Sequence, residues 1–168
     1  FWSEGIGYAD LENRIRVTPD TLMRIGSISK SMTATAIAKS VENGQVNIDT
    51  QVRDHLTSFP EKNSAMTLRQ LGGHLGGIRN YKNGREKWVF EHYDSVLASL
   101  ELFQQDPLVA VPGSEFHYTS YGYSLLSAAI EEATKTKFVD FVANNLWSPL
   151  GMRNSTQDDV IRVIQGRG

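Results

Sequence analysis

The stretch Arg24–Gly44, RIGSISKSMTATAIAKSVENG, decides the fold. Ile28, Met32, Ile37 and Val41 fall on one broad helical face, Ala34, Ala36 and Ala38 add propensity, and Asn43-Gly44 supplies a left-handed stop. The spacing predicts a helix over Ser27 to Glu42. At its first turn Ser27 stands three residues ahead of Lys30, and residues three apart share a helix face. The pair is either a nucleophile with its base or an N-cap serine beside a solvated lysine. The bare spacing does not separate the two, because 15 serines and 7 lysines give roughly 0.6 chance matches in such a chain.

Three features favour chemistry. The spacing lets the lysine amine reach the hydroxyl, and a lysine becomes a base at neutral pH where burial and a positive helix end lower its hold on the proton. First-turn amides, that of Ser27 among them, lack helical partners and face outward towards a developing oxyanion. Further along, a turn at Pro112-Gly113 leads through SEFHYTSYGYSLL (Ser114–Leu126) into another helix. Tyr118 and Ser120, two apart on extended chain, then point the same way at its entrance, supplying a second acid/base and a polar substrate contact.

Working outward, Phe1 to Asp10 alternates, with Trp2, Glu4, Ile6 and Tyr8 on one side. DLEN then turns the chain into a short extended RIRV, and TPDT ends the resulting β-hairpin. Apolar periodicity predicts helices over Asp94 to Phe103, with Asp94 as N-cap, over Ser120 to Thr134 and over Phe138 to Leu146. The second carries Gly122, Leu125, Leu126, Ala129, Ile130 and Ala133 on one face, and the third carries Phe141 and Val142. A shorter helix follows Thr67, and TSFPEKNSAM, GGHLGGIRNYKNGREK and DPLVAVPGSEFHYTS read as irregular connections. One hairpin followed by mostly helix implies a single domain, or part of one, from which a sheet has been left out.

At 168 residues, 40% hydrophobic and 21% charged, the chain has the profile of a soluble globular protein. The net charge of -2 comes without a basic run, so no footprint for nucleic acid or an anionic membrane appears, and no window is long and apolar enough to span a bilayer. The absence of cysteine excludes disulfides, thiolate metal sites and a cysteine nucleophile. FWSEGIGYAD has neither an initiator Met nor a leader pattern, which points to a natural N-terminus upstream.

Other candidates are weaker. His55, His74, His92 and His117 never stand at metal-ligand spacing, so neither a metal site nor a cofactor is expected, and all four read as structural or surface residues. His74, in GGHLGGI, is expected to hold its loop by hydrogen bonds; the glycines there lack the Gly-Lys-Ser/Thr of a phosphate cradle. Trp88, Phe90, Tyr93 and Trp147 read as core or rim aromatics, and Asp158 and Asp159 as a solvated turn.

Taken together, WSEGIGYADLENR, TPDTLMRIGSISKSMTATAIAK, FPEKNSAMTLRQLGGHLGGIRNY, LFQQDPLVAVPGSEFHYTSYGYSLLSAAIEEAT and LWSPLGM run in order from Phe1 to Met152. They resemble the serine β-lactamase and penicillin-binding protein superfamily, and within it the mitochondrial β-lactamase-like proteins of animals. The resemblance implies an α+β serine β-lactamase/DD-peptidase-like fold. Residues 1–168 would then be a partial catalytic domain, a mostly helical fragment with an N-terminal β-hairpin and most of the antiparallel sheet missing.

The resemblance also implies roles: Ser27 as the acylated nucleophile, Lys30 as its general base and Tyr118 as the proton shuttle to the leaving group. Ser120 contacts substrate where most relatives have Asn, and a hydroxyl lacks an amide's paired donor and acceptor. The family's Lys-or-His-Thr-Gly run has no counterpart, since TKTK at Thr134 to Lys137 ends a helix without the Gly. A segment lacking that run is expected to be inactive by itself.

The implied substrates are a peptide, an ester or a β-lactam-like carbonyl, the implied location is mitochondrial, and self-assembly into a homo-oligomer or filament is a further implied property. Two function classes stay open at this stage: a serine hydrolase, with a peptidase as its leading form, and a catalytically silent scaffold that keeps the fold.

Overall fold

The computed structural model describes residues 2–88, 91–159 and 163. Strands β1 (Tyr8–Asp10) and β2 (Ile15–Arg16) form an antiparallel hairpin, with Tyr8 opposite Arg16 and Asp10 opposite Ile15. The Asp10 carboxylate accepts the Asn13 amide at 2.8 Å and fixes the turn. The hairpin is shorter than the alternation implied. Gly7 sits at φ 83, which breaks the extended run before Tyr8, and only the Val17 amide on the Gly7 carbonyl, at 3.1 Å, prolongs the pairing. Phe1 lies outside the described residues.

A turn at Thr18–Thr21, in which the Thr21 hydroxyl accepts the Thr18 amide at 2.9 Å, leads to a 3-10 turn at Gly26–Ile28 and then to α1 (Ser29–Glu42). The predicted helix thus begins as a tighter turn that carries Ser27. Its buried side is formed by Thr33, Ala36, Ile37 and Ser40, so that of the predicted apolar stripe Ile37 alone is buried. Ile28 is 64% exposed and Val41 39%, while Met32 lines an open groove of about 1130 Å³ with Met23, Ile25 and Trp147. Small side chains on the inner side let the neighbouring helix approach closely; the larger apolar ones mark a surface that helix does not cover.

The short helix expected after Thr67 is present, and the neighbouring connections hold further short helices that their composition did not foretell. α2 (Val52–His55) is closed at its start by a reciprocal cap between Gln51 and Asp54, and α3 (Leu68–Gly72) by one between Thr67 and Gln70. α4 (Gly84–Lys87) is capped by the Asn83 carboxamide, which accepts the Arg85 and Glu86 amides at 2.9 and 3.2 Å. α5 (Val96–Ser99) continues into a 3-10 turn at Leu100–Leu102. Its N-cap is Ser95, not Asp94, because the Ser95 hydroxyl reaches the Ala98 amide at 3.1 Å whereas the Asp94 side chain stands in solvent.

α6 (Tyr121–Thr134) is the centre of the fold: α1, α2, α3, α5 and α7 (Phe138–Val142) all pack on it. Leu125, Leu126, Ala129 and Ile130 are buried as predicted, but Ala133 is exposed, since the helix stops at Thr134 and Lys135 turns left-handed at φ 52. α7 runs on through a π turn, Ala143–Trp147, with Phe141, Val142 and Leu146 in the core. Among the described residues no helix is long and apolar enough to cross a membrane.

One charged cluster is built into this frame. The Arg79 guanidinium, 10% exposed, donates to Asp106 and Glu86, both at 2.7 Å, and to the Leu102 carbonyl at 2.9 Å. Glu86 also accepts the Tyr121 hydroxyl at 3.1 Å, and burial with that carboxylate pushes the phenol up to about 12. The cluster ties the irregular 79–88 and 102–106 segments to the start of α6. Asp158 and Asp159 are not a solvated turn: Asp158 pairs with Arg24 at 2.6 Å, and the mostly buried Asp159 faces His92 at 3.7 Å.

Candidate active site

The tight turn before α1 places Ser27 and Lys30 on one side of its first residues, and the Lys30 Nζ donates to the Ser27 Oγ at 3.2 Å. From 91 positions away, the segment entering α6 brings the Tyr118 hydroxyl to 2.7 Å from the Ser27 Oγ. Ser120 completes the group, its Oγ accepting from Lys30 at 3.2 Å. All four residues singled out in the sequence therefore meet at one place. Ser27 and Tyr118 are open to solvent, and Lys30 and Ser120 are partly buried beneath them.

Ser120 occupies the N-cap position of α6 but makes no side-chain cap. Its hydroxyl is turned to Lys30 instead, and the capping task passes to Thr119, whose Oγ1 accepts the Tyr121 amide at 3.1 Å and donates to the Arg79 carbonyl at 2.7 Å. The Ser120 amide is held in turn by the Asn80 carboxamide at 3.3 Å. A local rule for helix starts is thus broken where the side chain has other work, as expected at a site.

Lys30 lies 4.9 Å from the centre of the Tyr118 ring and 5.7 Å from that of Tyr123. The Lys30 side chain, and next the Ser27 hydroxyl, lower the Tyr118 phenol from its ordinary value, since both favour a negative oxygen there. Tyr123 goes the other way: burial and the neighbouring Tyr118 raise it, and its hydroxyl donates to the Gly72 carbonyl at 3.0 Å. His74 packs its ring on Tyr118 at 4.6 Å and accepts the Thr119 amide on Nδ1 at 3.3 Å. This is the holding role expected of it, although what it holds is the site segment as well as its own loop.

Asn80, Thr119 and Tyr123 were not foreseen. Thr119 carried a signal, a threonine just ahead of an apolar helical run. Asn80 and Tyr123 carried none, because their partners are remote in sequence. Of the aromatics singled out, Trp147 is partly buried at the groove, Trp88 is exposed, and Phe90 lies outside the described residues.

The sequence model of the family described as Beta-lactamase matches residues 1–160. The chain belongs to the β-lactamase family. It is 32% identical to the serine beta-lactamase-like protein LACTB, mitochondrial, of Homo sapiens, over 99% of this chain and 43% of that protein. That alignment spans 234 positions, so the human protein carries extra segments inside the matched region. The penicillin-binding protein of Bacillus halodurans superposes with a TM-score of 0.84 at 27% identity, covering 96% of this chain and 52% of that one. The D-amino acid amidase of Ochrobactrum anthropi superposes at 0.74 with 26% identity, covering 88% and 41%. The chain thus spans about half or less of the length of these relatives, and its helices and hairpin are those of the penicillin-binding and β-lactamase fold.

Proposed function

We propose that the protein is a serine hydrolase that forms an acyl-enzyme on Ser27 from a peptide or another small amide or ester carbonyl. The observation that carries this is the meeting of Ser27, Tyr118 and Lys30 within 3.2 Å of one oxygen. A serine hydroxyl is a weak nucleophile until a neighbour takes its proton. Tyr118 is the better-placed acceptor, at 2.7 Å and lowered from its ordinary value, whereas Lys30 donates to the same oxygen. Lys30 then sustains the phenolate instead of acting as the primary base that the resemblance implied.

In this scheme the Ser27 oxygen bonds the carbonyl carbon as its proton passes to Tyr118. The same proton goes to the departing nitrogen or alkoxide as that bond breaks, and water repeats the sequence to free the acid. Support for an amide comes from the likeness to an amidase and a penicillin-binding protein. The likeness to a mitochondrial protein supports a mitochondrial location, which a fluorescent fusion of the whole protein tests by co-localisation.

Ser120 favours one competitor, a silent scaffold, because Lys30 finds a hydroxyl where a carboxamide would also grip substrate. Treatment with a fluorophosphonate decides between them. A hydrolase is labelled at Ser27, and Ser27→Ala loses label and turnover while unfolding at the parental temperature; an unlabelled parent refutes the hydrolase.

A further inference from the structure

His74 stands at φ 59, a left-handed conformation rarely held by a residue other than glycine. There it grips the segment that carries Tyr118 at two points. Its carbonyl accepts the His117 amide at 2.9 Å, and its Nδ1 accepts the Thr119 amide at 3.3 Å. These two bonds fall on the residues immediately before and after Tyr118. The ring itself lies on the Tyr118 ring at 4.6 Å with a 40° tilt, and is flanked by Phe116 at 5.5 Å and Tyr123 at 5.3 Å. Backbone and ring together leave Tyr118 little freedom but to point at Ser27.

Taking Tyr118 as the proton acceptor proposed above, we infer that His74 is its positioning residue, a two-point clasp whose ring point holds only while the imidazole is neutral with its proton on Nε2. An Nδ1 that accepts an amide must carry a lone pair, which fixes the tautomer. The groups facing the ring are Lys30 from α1, the phenols of Tyr118 and Tyr123, and the apolar Phe116. Burial first, and the charge of Lys30 second, hold His74 below the usual histidine value, so the clasp stays closed through neutral pH. Acid converts Nδ1 from acceptor to donor, sets two N–H groups against each other on the Thr119 side, and leaves the Tyr118 segment held by the His74 carbonyl alone.

The test uses the whole protein, its His74→Asn variant and an activated ester substrate. Asn tolerates a left-handed backbone and does not titrate. Nitrogen-15 spectra of the imidazole should show the neutral Nε2–H form at pH 7. The variant should lose about 10- to 100-fold in kcat with little change in KM, as for a group misplaced by about an ångström. Below the His74 ionisation, log kcat should fall two units per pH unit in the parent and one in His74→Asn. An Nδ1–H tautomer, or parental kcat with the parental acid slope in the variant, overturns the clasp. If no turnover depends on Ser27, the hydrolase proposal fails separately. The tautomer, together with the effect of His74→Asn on the phenolate absorbance of Tyr118, then decides the clasp.

Discussion

Gly77→Ala is a perturbation whose size can be worked from the geometry. Gly77 has φ 68, and a β-carbon built on it would lie 2.2 Å from the Ala110 carbonyl oxygen and 3.2 Å from its carbon. The contact is of the added side-chain carbon on backbone, so no rotamer relieves it, and the two segments must part by at least about 1 Å to reach ordinary separation. Forcing an alanine into the left-handed region costs about 1–2 kcal/mol. Opening a packed contact adds about 1–3 kcal/mol. Together these take roughly 2–5 kcal/mol from a stability of about 5–15 kcal/mol, or about 4–20 °C in Tm for a domain of this size.

Gly44→Ala provides the control. Gly44 closes α1 at φ 70 with nothing within 4 Å of its added β-carbon, so it incurs the conformational cost alone. The entropy that alanine removes from the unfolded chain is common to both variants and cancels in their difference. Thermal unfolding followed by circular dichroism should therefore place Gly77→Ala below Gly44→Ala by about 2–12 °C. Gly77→Ala should also lose acylation rate, because its carbonyl accepts the Val109 amide at 2.9 Å in the same run of bonds that reaches His74 and His117. Equal shifts in the two variants would refute the close approach of the 74–78 loop to the 109–113 segment.

Three other outcomes follow from the site and its frame. Hydrolysis should rise with pH through the Tyr118 ionisation, and because Lys30 is the chief cause of the lowered phenol, Lys30→Met should carry that limb to higher pH; a limb that stays in place would show that another group titrates. Ser120→Asn should raise kcat/KM on amide substrates several-fold, since a carboxamide bonds Lys30 and a substrate carbonyl together, and unchanged kinetics would show that the hydroxyl suffices. Arg79→Met leaves Asp106 to Lys82 and Glu86 to Tyr121 and the Lys82 amide, and should cost about 1.5–3 kcal/mol by urea unfolding, as for lost hydrogen bonds to charged groups. Asp106, held below the usual carboxylate range by Lys82 and then Arg79, contributes stability that is lost as pH falls through its folded value, so the gap between parent and variant should narrow in acid.

What could be read from the sequence is what neighbours along the chain decide. The helix after Ser27, its stop at Asn43-Gly44 and the Ser27–Lys30 pairing are short-range matters of spacing, and so is the capping exchange at Thr67 and Gln70. Tyr118 and Ser120 were found because a turn and an extended pair give the same direction whatever lies opposite. Their approach to Ser27 was not in the spacing at all; it came from the family resemblance, since no local rule reaches across 91 positions. The same distance hid the grip of His74 on Thr119 and of Asn80 on Ser120. α4 escaped notice because its four residues, a glycine and three charged side chains, carry no apolar period, and the Asn83 cap and the Arg79 cluster hold them in a turn.

The misjudged face of α1 has a physical cause that bears on the site. Periodicity finds the largest apolar residues and takes them for the buried side, but a helix that packs closely on another buries small ones, here Thr33, Ala36 and Ser40 with Ile37. Ile28, Met32 and Val41 then lie to the side of that contact, partly or largely open. α1 is therefore fixed along its length by close packing against the helix that Tyr118 and Ser120 introduce. The Ser27 oxygen and the Tyr118 oxygen stand at the starts of two helices locked side by side, so their 2.7 Å separation inherits the rigidity of the core. A cavity made far below the site, by Ala36→Gly or Leu125→Ala, should on this account loosen that separation and lower kcat before it unfolds the protein.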